Sequence, residues 1–233
     1  MRGIAQSDRT ITATDEGHAI YPHVFQPLEI EHVLKALSGD GIERTRAGAR
    51  RILGIPAVRQ LANDARLLRI ASDFVGPTAV PFRATLFDKS ATANWLVVWH
   101  QDTALPLRER FEDREWGPWS VKGGVIHAHA PAWALEQVIA LRVSLDASTA
   151  TNGPLRVLPG SHRRGVFSDE QIAQLASSTM AVDCTTRSGG VVAMRPLTVH
   201  ASSKSTDDRP RRVLHLEYAS TLRLASHVEL SVG

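Results

Sequence analysis

A histidine and an aspartate two residues apart, His100 and Asp102, close the apolar run Trp95-Leu96-Val97-Val98-Trp99. Side chains of an extended strand alternate, so residues i and i+2 leave the same face, and two metal ligands could come from one short segment. An imidazole and a carboxylate, completed by a distant second imidazole with positions left open, form the ligand set of mononuclear non-haem Fe(II) centres. One such pair among 10 histidines needs company before it means anything. His200, at the end of Leu197-Thr198-Val199, is the candidate third ligand. A jelly-roll core can bring such sequence-distant strands together at one mouth.

Arg211 opens a strand on which Arg211, Val213, His215 and Glu217 share one face and Leu214, Leu216 and Tyr218 the other. A guanidinium on an inner face is costly without an anionic partner, and its planar fork matches a carboxylate bidentately. A dicarboxylate cosubstrate would supply that partner. Arg212 points away from this face and Arg209 precedes Pro210 in the connection, so Arg211 is the better candidate.

These groups need positioning elements. Leu28, Ile30, Val33, Leu34 and Leu37 recur at helical spacing after Pro27, which predicts an amphipathic helix over Pro27–Leu37. A second helix is expected from about Ala57 to Val75, stopped by Gly76-Pro77, with Arg44 to Arg51 between them as an exposed, cation-rich connection. Strands are expected over Val80–Phe87, Trp95–His100, Val138–Asp146, Leu155–Leu158, Val191–Met194 and Arg211–Ala219, and a short helix over Ser168–Leu175, capped by Ser168 with Gln171 three residues on. Ala104 to Pro131, rich in Gly, Pro and Trp, is expected to be a long irregular segment, of the kind that covers sites. Helices followed by many short strands predict one α+β, mainly β, domain over residues 1–233, with flanking N-terminal helices on a closed or double-sheet β core.

Composition narrows the function classes. With 43% apolar and 22% charged residues the chain is globular rather than disordered. A net charge of +3 without a basic tail or interleaved aromatics argues against nucleic-acid binding. One cysteine, Cys184, excludes an intrachain disulfide and is expected to be a small, partly buried hydrophobe. Met1 to Thr14 lacks an apolar core, and no stretch reaches membrane-spanning length, so the expected location is the cytoplasm, with no membrane partner.

In order along the chain, His100-Gln101-Asp102, Asn152-Gly153-Pro154-Leu155, Pro159-Gly160-Ser161-His162, His200-Ala201-Ser202 and Arg211 resemble the phytanoyl-CoA dioxygenase family of Fe(II)/2-oxoglutarate oxygenases, as does the opening Asp15 to Leu37. The resemblance implies the double-stranded β-helix fold, iron on His100, Asp102 and His200, and the distal carboxylate of 2-oxoglutarate on Arg211 and Ser202. It puts Gln101 near the cosubstrate. Lys89, Asn94 and Arg142 are further candidates for cosubstrate contact; the alternatives are turn or strand-edge roles for the first two and an ion pair with Asp146 for Arg142. Ala201 departs from the family's frequent Gly, and the Trp116, Trp119 and Trp133 segment matches no substrate site.

Related halogenases carry a small residue at the carboxylate position, so Asp102 implies hydroxylation, with dioxygen as co-reactant and release of succinate and carbon dioxide. The partners expected are a small-molecule substrate and dioxygen, in a monomer or homodimer. A cupin-like binding protein without oxidation, and a metal enzyme using the triad without 2-oxoglutarate, are the competing readings. His127 and His129 are expected to line or cover the mouth rather than bind metal, because no carboxylate accompanies them at ligand spacing, and His162 is read as a structural hydrogen-bonder.

Overall fold

The computed structural model describes residues 16–39, 42–45, 47–90 and 93–233. The N-terminal stretch Met1–Asp15, including the Asp15 of the family-like opening, and Arg46 of the cation-rich segment lie outside them. In chain order the strands are β1 (His18–Tyr21), β2 (Arg44–Thr45), β3 (Gly48–Arg50), β4 (Val80–Lys89), β5 (Val97–His100), β6 (Ala104–Leu107), β7 (Trp119–Lys122), β8 (Val125–His129), β9 (Val138–Ser144), β10 (Leu155–Val157), β11 (Val182–Cys184), β12 (Val191–Met194), β13 (His200–Ser202), β14 (Arg211–Ala219), β15 (Arg223–Ala225) and β16 (Val228–Glu229). The α-helices are α1 (Pro27–Leu37), α2 (Pro56–Ala62), α3 (Ala65–Val75), α4 (Ala132–Leu135) and α5 (Asp169–Ser178).

Two antiparallel sheets make the core. The larger has the order β1-β12-β9-β14-β4-β3-β2 and the smaller β11-β10-β13-β5. Between them Val192 and Met194 of the larger sheet meet Leu155, Val157 and Cys184 of the smaller. This is the mainly β jelly-roll expected from the sequence. The outer face of the larger sheet is apolar: Ile139, Leu141, Leu214 and Leu216 pack with Ile30, Val33, Leu37, Leu67 and Ile70 of the helices. On the outer side of the smaller sheet, Val199 packs with Leu158 and Ile172, the latter on α5. α5 starts as expected, Ser168 Oγ accepting from Gln171 N and the Gln171 side chain accepting from Ser168 N.

Four expectations need correction. The single helix from about Ala57 to Val75 is two, because Asp64 adopts extended backbone and its carboxylate caps α3 by accepting from Arg66 N. Leu28 does not belong to the buried stripe of α1; it is 77% exposed. The segment Arg44 to Arg51 is not a simple exposed connection, since β2 and β3 extend the larger sheet and Gly48 and Ala49 are buried. Its cations hid the strand signal, as edge strands tolerate charge. Ala104 to Pro131 is not irregular either: β6, β8 and β7 form a three-stranded sheet, with Leu105, Leu107 and Ala128 packed on the β15–β16 hairpin through Val228 and Leu230.

Candidate active site

His100 ends β5 and His200 begins β13; the two residues are register partners across the smaller sheet, their ring centroids 4.2 Å apart. Asp102, two residues beyond His100, is held by its backbone N–H on the Pro196 carbonyl. His100 Nε2 lies 3.6 Å from Asp102 Oδ1 and His200 Nε2 lies 3.5 Å from Asp102 Oδ2. Ligand atoms from all three residues fall within 4.8 Å of one another.

Protonation suits a metal. Each imidazole meets a backbone carbonyl two residues earlier through Nδ1, Val98 O at 2.8 Å for His100 and Thr198 O at 2.9 Å for His200. A hydrogen on Nδ1 leaves the Nε2 lone pair for an ion, and the carbonyl fixes the ring. Burial pushes His200 down to about 4, despite the pull of Asp102, so this imidazole is neutral near neutral pH. Burial opposes the charge of Asp102, but His200, His100 and His215 outweigh it and hold the carboxyl well below the usual carboxylate range. Burial works against a charge on His100, but Asp102 outweighs it and raises this imidazole, so an ion would compete with a proton at its Nε2. Two imidazoles and one ionised carboxylate are a donor set that fits a divalent transition metal.

Beside the triad lies a group of buried cations. Lys89 is 1% and Arg211 3% exposed. They are register partners on β4 and β14. Lys89 Nζ donates to Ser202 Oγ at 3.0 Å and Ser203 O at 2.6 Å; Arg211 donates through Nε to Asn152 O at 3.2 Å and through Nη2 to Ser202 Oγ at 3.4 Å. Ser202 Oγ donates to Gly153 O. Gly153 must be glycine: its φ is +69°, and a Cβ would fall 2.3 Å from Ser203 O and 3.1 Å from Lys89 Nζ. Burial, with Arg211 and Arg142 adding to it, brings Lys89 down to about 8, and burial with Arg142 brings Arg211 down to about 10. Neither cation has a carboxylate partner among the described residues. An interior that holds two positive charges together in this way is unfavourable unless an anion joins them.

Arg142 of β9 faces the same interior. Its Nη1 lies 3.1 Å from His215 Nδ1. The expected alternative partner Asp146 is engaged instead by Arg212, through its backbone N–H, Nε and Nη2, each at 2.8 Å. Along β14 the inner row continues through His215 to Glu217, whose Oε2 is 2.5 Å from Arg83 Nε. His215 and Glu217, read from the sequence only as residues of the Arg211 face, are buried neighbours of the triad; their period-two spacing from Arg211 is the signal that points to them.

Gln101 and Asn94 are used by the backbone. Gln101 Nε2 donates to Gly165 O and Leu197 O, and its Oε1 accepts from Phe167 N. Asn94 donates to Ser205 O and accepts from Ser205 N, tying the β4–β5 connection to the loop after β13. A cavity of about 670 Å³ opens beside Asp102, and His127 and His129 line it, outside the triad.

Residues 40–213 match the phytanoyl-CoA dioxygenase family. The chain belongs to this family. Among curated proteins it is 26% identical over 185 residues to the ectoine dioxygenase of Sphingopyxis alaskensis, covering 70% of this chain and 54% of that protein. It is 25% identical over 147 residues to the L-proline trans-4-hydroxylase of Streptomyces griseoviridis, covering 52% of this chain and 54% of that one. The chain thus spans about half the length of the curated relatives it matches. The structure of EctD from S. alaskensis with 2-oxoglutarate and 5-hydroxyectoine superposes with a TM-score of 0.68 at 23% identity, over 89% of this chain and 73% of that one. AviO1 from Streptomyces viridochromogenes Tue57 gives 0.66 at 21% identity, over 98% and 100%. These likenesses bear out the expected fold.

Proposed function

We propose that this family member is an Fe(II)- and 2-oxoglutarate-dependent dioxygenase, acting as one domain, that hydroxylates a small molecule. The carrying observation is the pairing of a metal-ready His100–Asp102–His200 cluster with the buried, anion-seeking pair Lys89 and Arg211. His100, Asp102 and His200 would hold Fe(II) through Nε2, a carboxylate oxygen and Nε2. Arg211, Lys89 and Ser202 would hold the distal carboxylate of 2-oxoglutarate, with Arg142 between that pocket and the triad. Such a centre supplies oxidising chemistry from dioxygen, with succinate and carbon dioxide as co-products. The chain's residues bind the cosubstrate dianion against fixed positive charge, keep both imidazoles oriented and hold water out with Trp95 and Phe87 near the cations. Gln101 and Asn94 serve as tethers that keep the ligand strand and the loop after β13 in place.

Asp102 fills the position a halide would need, which supports hydroxylation, as do the names of the two curated relatives. No helix among the described residues is long and apolar enough to cross a membrane. With a single buried thiol, the chain suits a cytoplasmic location, as a monomer or homodimer without nucleic-acid or membrane partners. The test is iron-dependent succinate release from 2-oxoglutarate during a small-molecule screen. His100→Ala and Asp102→Ala are each expected to abolish iron binding and release; full retention in both would remove the triad assignment.

A further inference from the structure

The cavity beside Asp102 carries an excess of positive charge that the metal and cosubstrate pockets do not use. Apart from Asp102, the charged side chains that line it are Arg50, Arg51, Arg83 and Lys122 against Glu43 and Glu217. Glu217 is ion-paired with Arg83, its Oε2 lying 2.5 Å from Nε. No ion pair engages Arg50, Arg51 or Lys122 among the described residues, and the terminal amino groups of Arg83 meet no protein acceptor there. A guanidinium paired at Nε, with both terminal amino groups unengaged, still offers a planar fork that matches a carboxylate.

Two independent features show that the charge is built in. Arg51 has φ 56°, the one positive value among described non-glycine residues, a conformation that costs about 1–2 kcal/mol. It sets the Arg51 guanidinium against Gly123, in the turn between β7 and β8, so the cation spans two walls of the cavity. His127, on β8, is lowered first by burial and then by Arg83, Lys122 and Arg50, so the charge of these cations is felt at a residue that lines the cavity.

We propose that this cavity selects small organic acids, seating the substrate's carboxylate on the Arg83 fork beneath a rim of Arg50, Arg51 and Lys122. That the bound acid is a substrate rests on the oxygenase reading; the charge selectivity does not. Phe87 and Val125, which share the lining, give the apolar remainder of such an acid a place beside Asp102.

The experiment is a fluorine NMR titration of the full chain with saturating 2-oxoglutarate, metal-free and with Zn(II), using 4-fluorophenylacetate and its neutral counterpart 4-fluorophenylacetamide. The acid is expected to bind at least about tenfold more tightly than the amide, a difference of about 1.4 kcal/mol. Replacing the exposed rim cations in Arg50→Gln/Lys122→Gln should reduce that preference to about threefold or less, and Arg83→Gln should remove it. The double variant keeps the test valid if Arg83→Gln, which leaves Glu217 without its partner, fails to fold. Equal binding of the two probes, binding of neither, or a preference that survives in the double variant would overturn the proposal. So would a preference lost in Arg211→Ala instead, which would put the acid among the inner cations. A preference for the acid without iron-dependent succinate release would leave the acid site standing and the oxygenase reading rejected.

Discussion

At the scale of single residues, the inner cations decide what the pocket can hold. Arg211 donates to Asn152 O and Ser202 Oγ and has no carboxylate partner among the described residues, which is why the proposed cosubstrate would be held there. Arg211→Ala is expected to raise the 2-oxoglutarate concentration needed for half-maximal succinate release by at least about tenfold, since charge-assisted hydrogen bonds contribute about 1.5–3 kcal/mol. An unchanged requirement would move the role to Lys89 or Arg142.

Lys89, brought down to about 8 by burial and then by Arg211 and Arg142, makes the pocket pH-dependent. Raising the pH through about 8 removes its proton and should weaken 2-oxoglutarate binding, which isothermal titration at pH 7 and 9 would detect. Stability runs the other way. An unfolded lysine keeps its proton to about 10.4, so between these values the unfolded state binds more protons and stability rises with pH. Urea unfolding of the cosubstrate-free protein across that interval checks the sign.

At the scale of elements, the site depends on short segments pinned from outside the sheets. Ser161, in the Pro159-Gly160-Ser161-His162 turn, donates to Leu158 O and accepts from Val199 N at 2.8 Å, one residue before His200. Ser161→Ala leaves that buried N–H unpaired. A loss of about 1–3 kcal/mol is expected in urea unfolding, together with weaker iron affinity, because the residue feeding the ligand loses its anchor. Stability lost with iron affinity intact would show that β13 holds His200 unaided. The same scale accounts for the misread segments. Gly and Pro in Ala104 to Pro131 and the arginines of Arg44 to Arg51 mask strands whose partners are β8 for β6 and β7, and β4 for β3. A lone strand in that size range carries little periodic signal, and pairing supplies what it lacks.

At the scale of the whole molecule, the larger sheet is a partition. One face carries Leu214 and Leu216 into the helical layer; the other carries Arg211, His215 and Glu217 into the interior. Tyr218 on β14 joins the layers, its hydroxyl donating to Ala62 O at 2.9 Å at the end of α2. Tyr218→Phe should cost about 1 kcal/mol in thermal or urea unfolding without altering the iron site. A change in iron affinity would mean that the helical layer also sets the ligand geometry.

Sequence alone determined the alternation of β14, the residue types of the candidate triad, the order of the motifs and hence the family, because period-two patterning and chemical type are local properties. It also located α1 through its apolar spacing after Pro27 and α5 through its cap. Only the tertiary structure decided that His200 pairs with His100 and that Lys89 meets Arg211 and Ser202. It alone gave Asp146 to Arg212 and opened a cationic cavity beside Asp102. Those outcomes depend on which strands become neighbours and which charges burial leaves without a partner, and both are set by long-range packing rather than by local spacing.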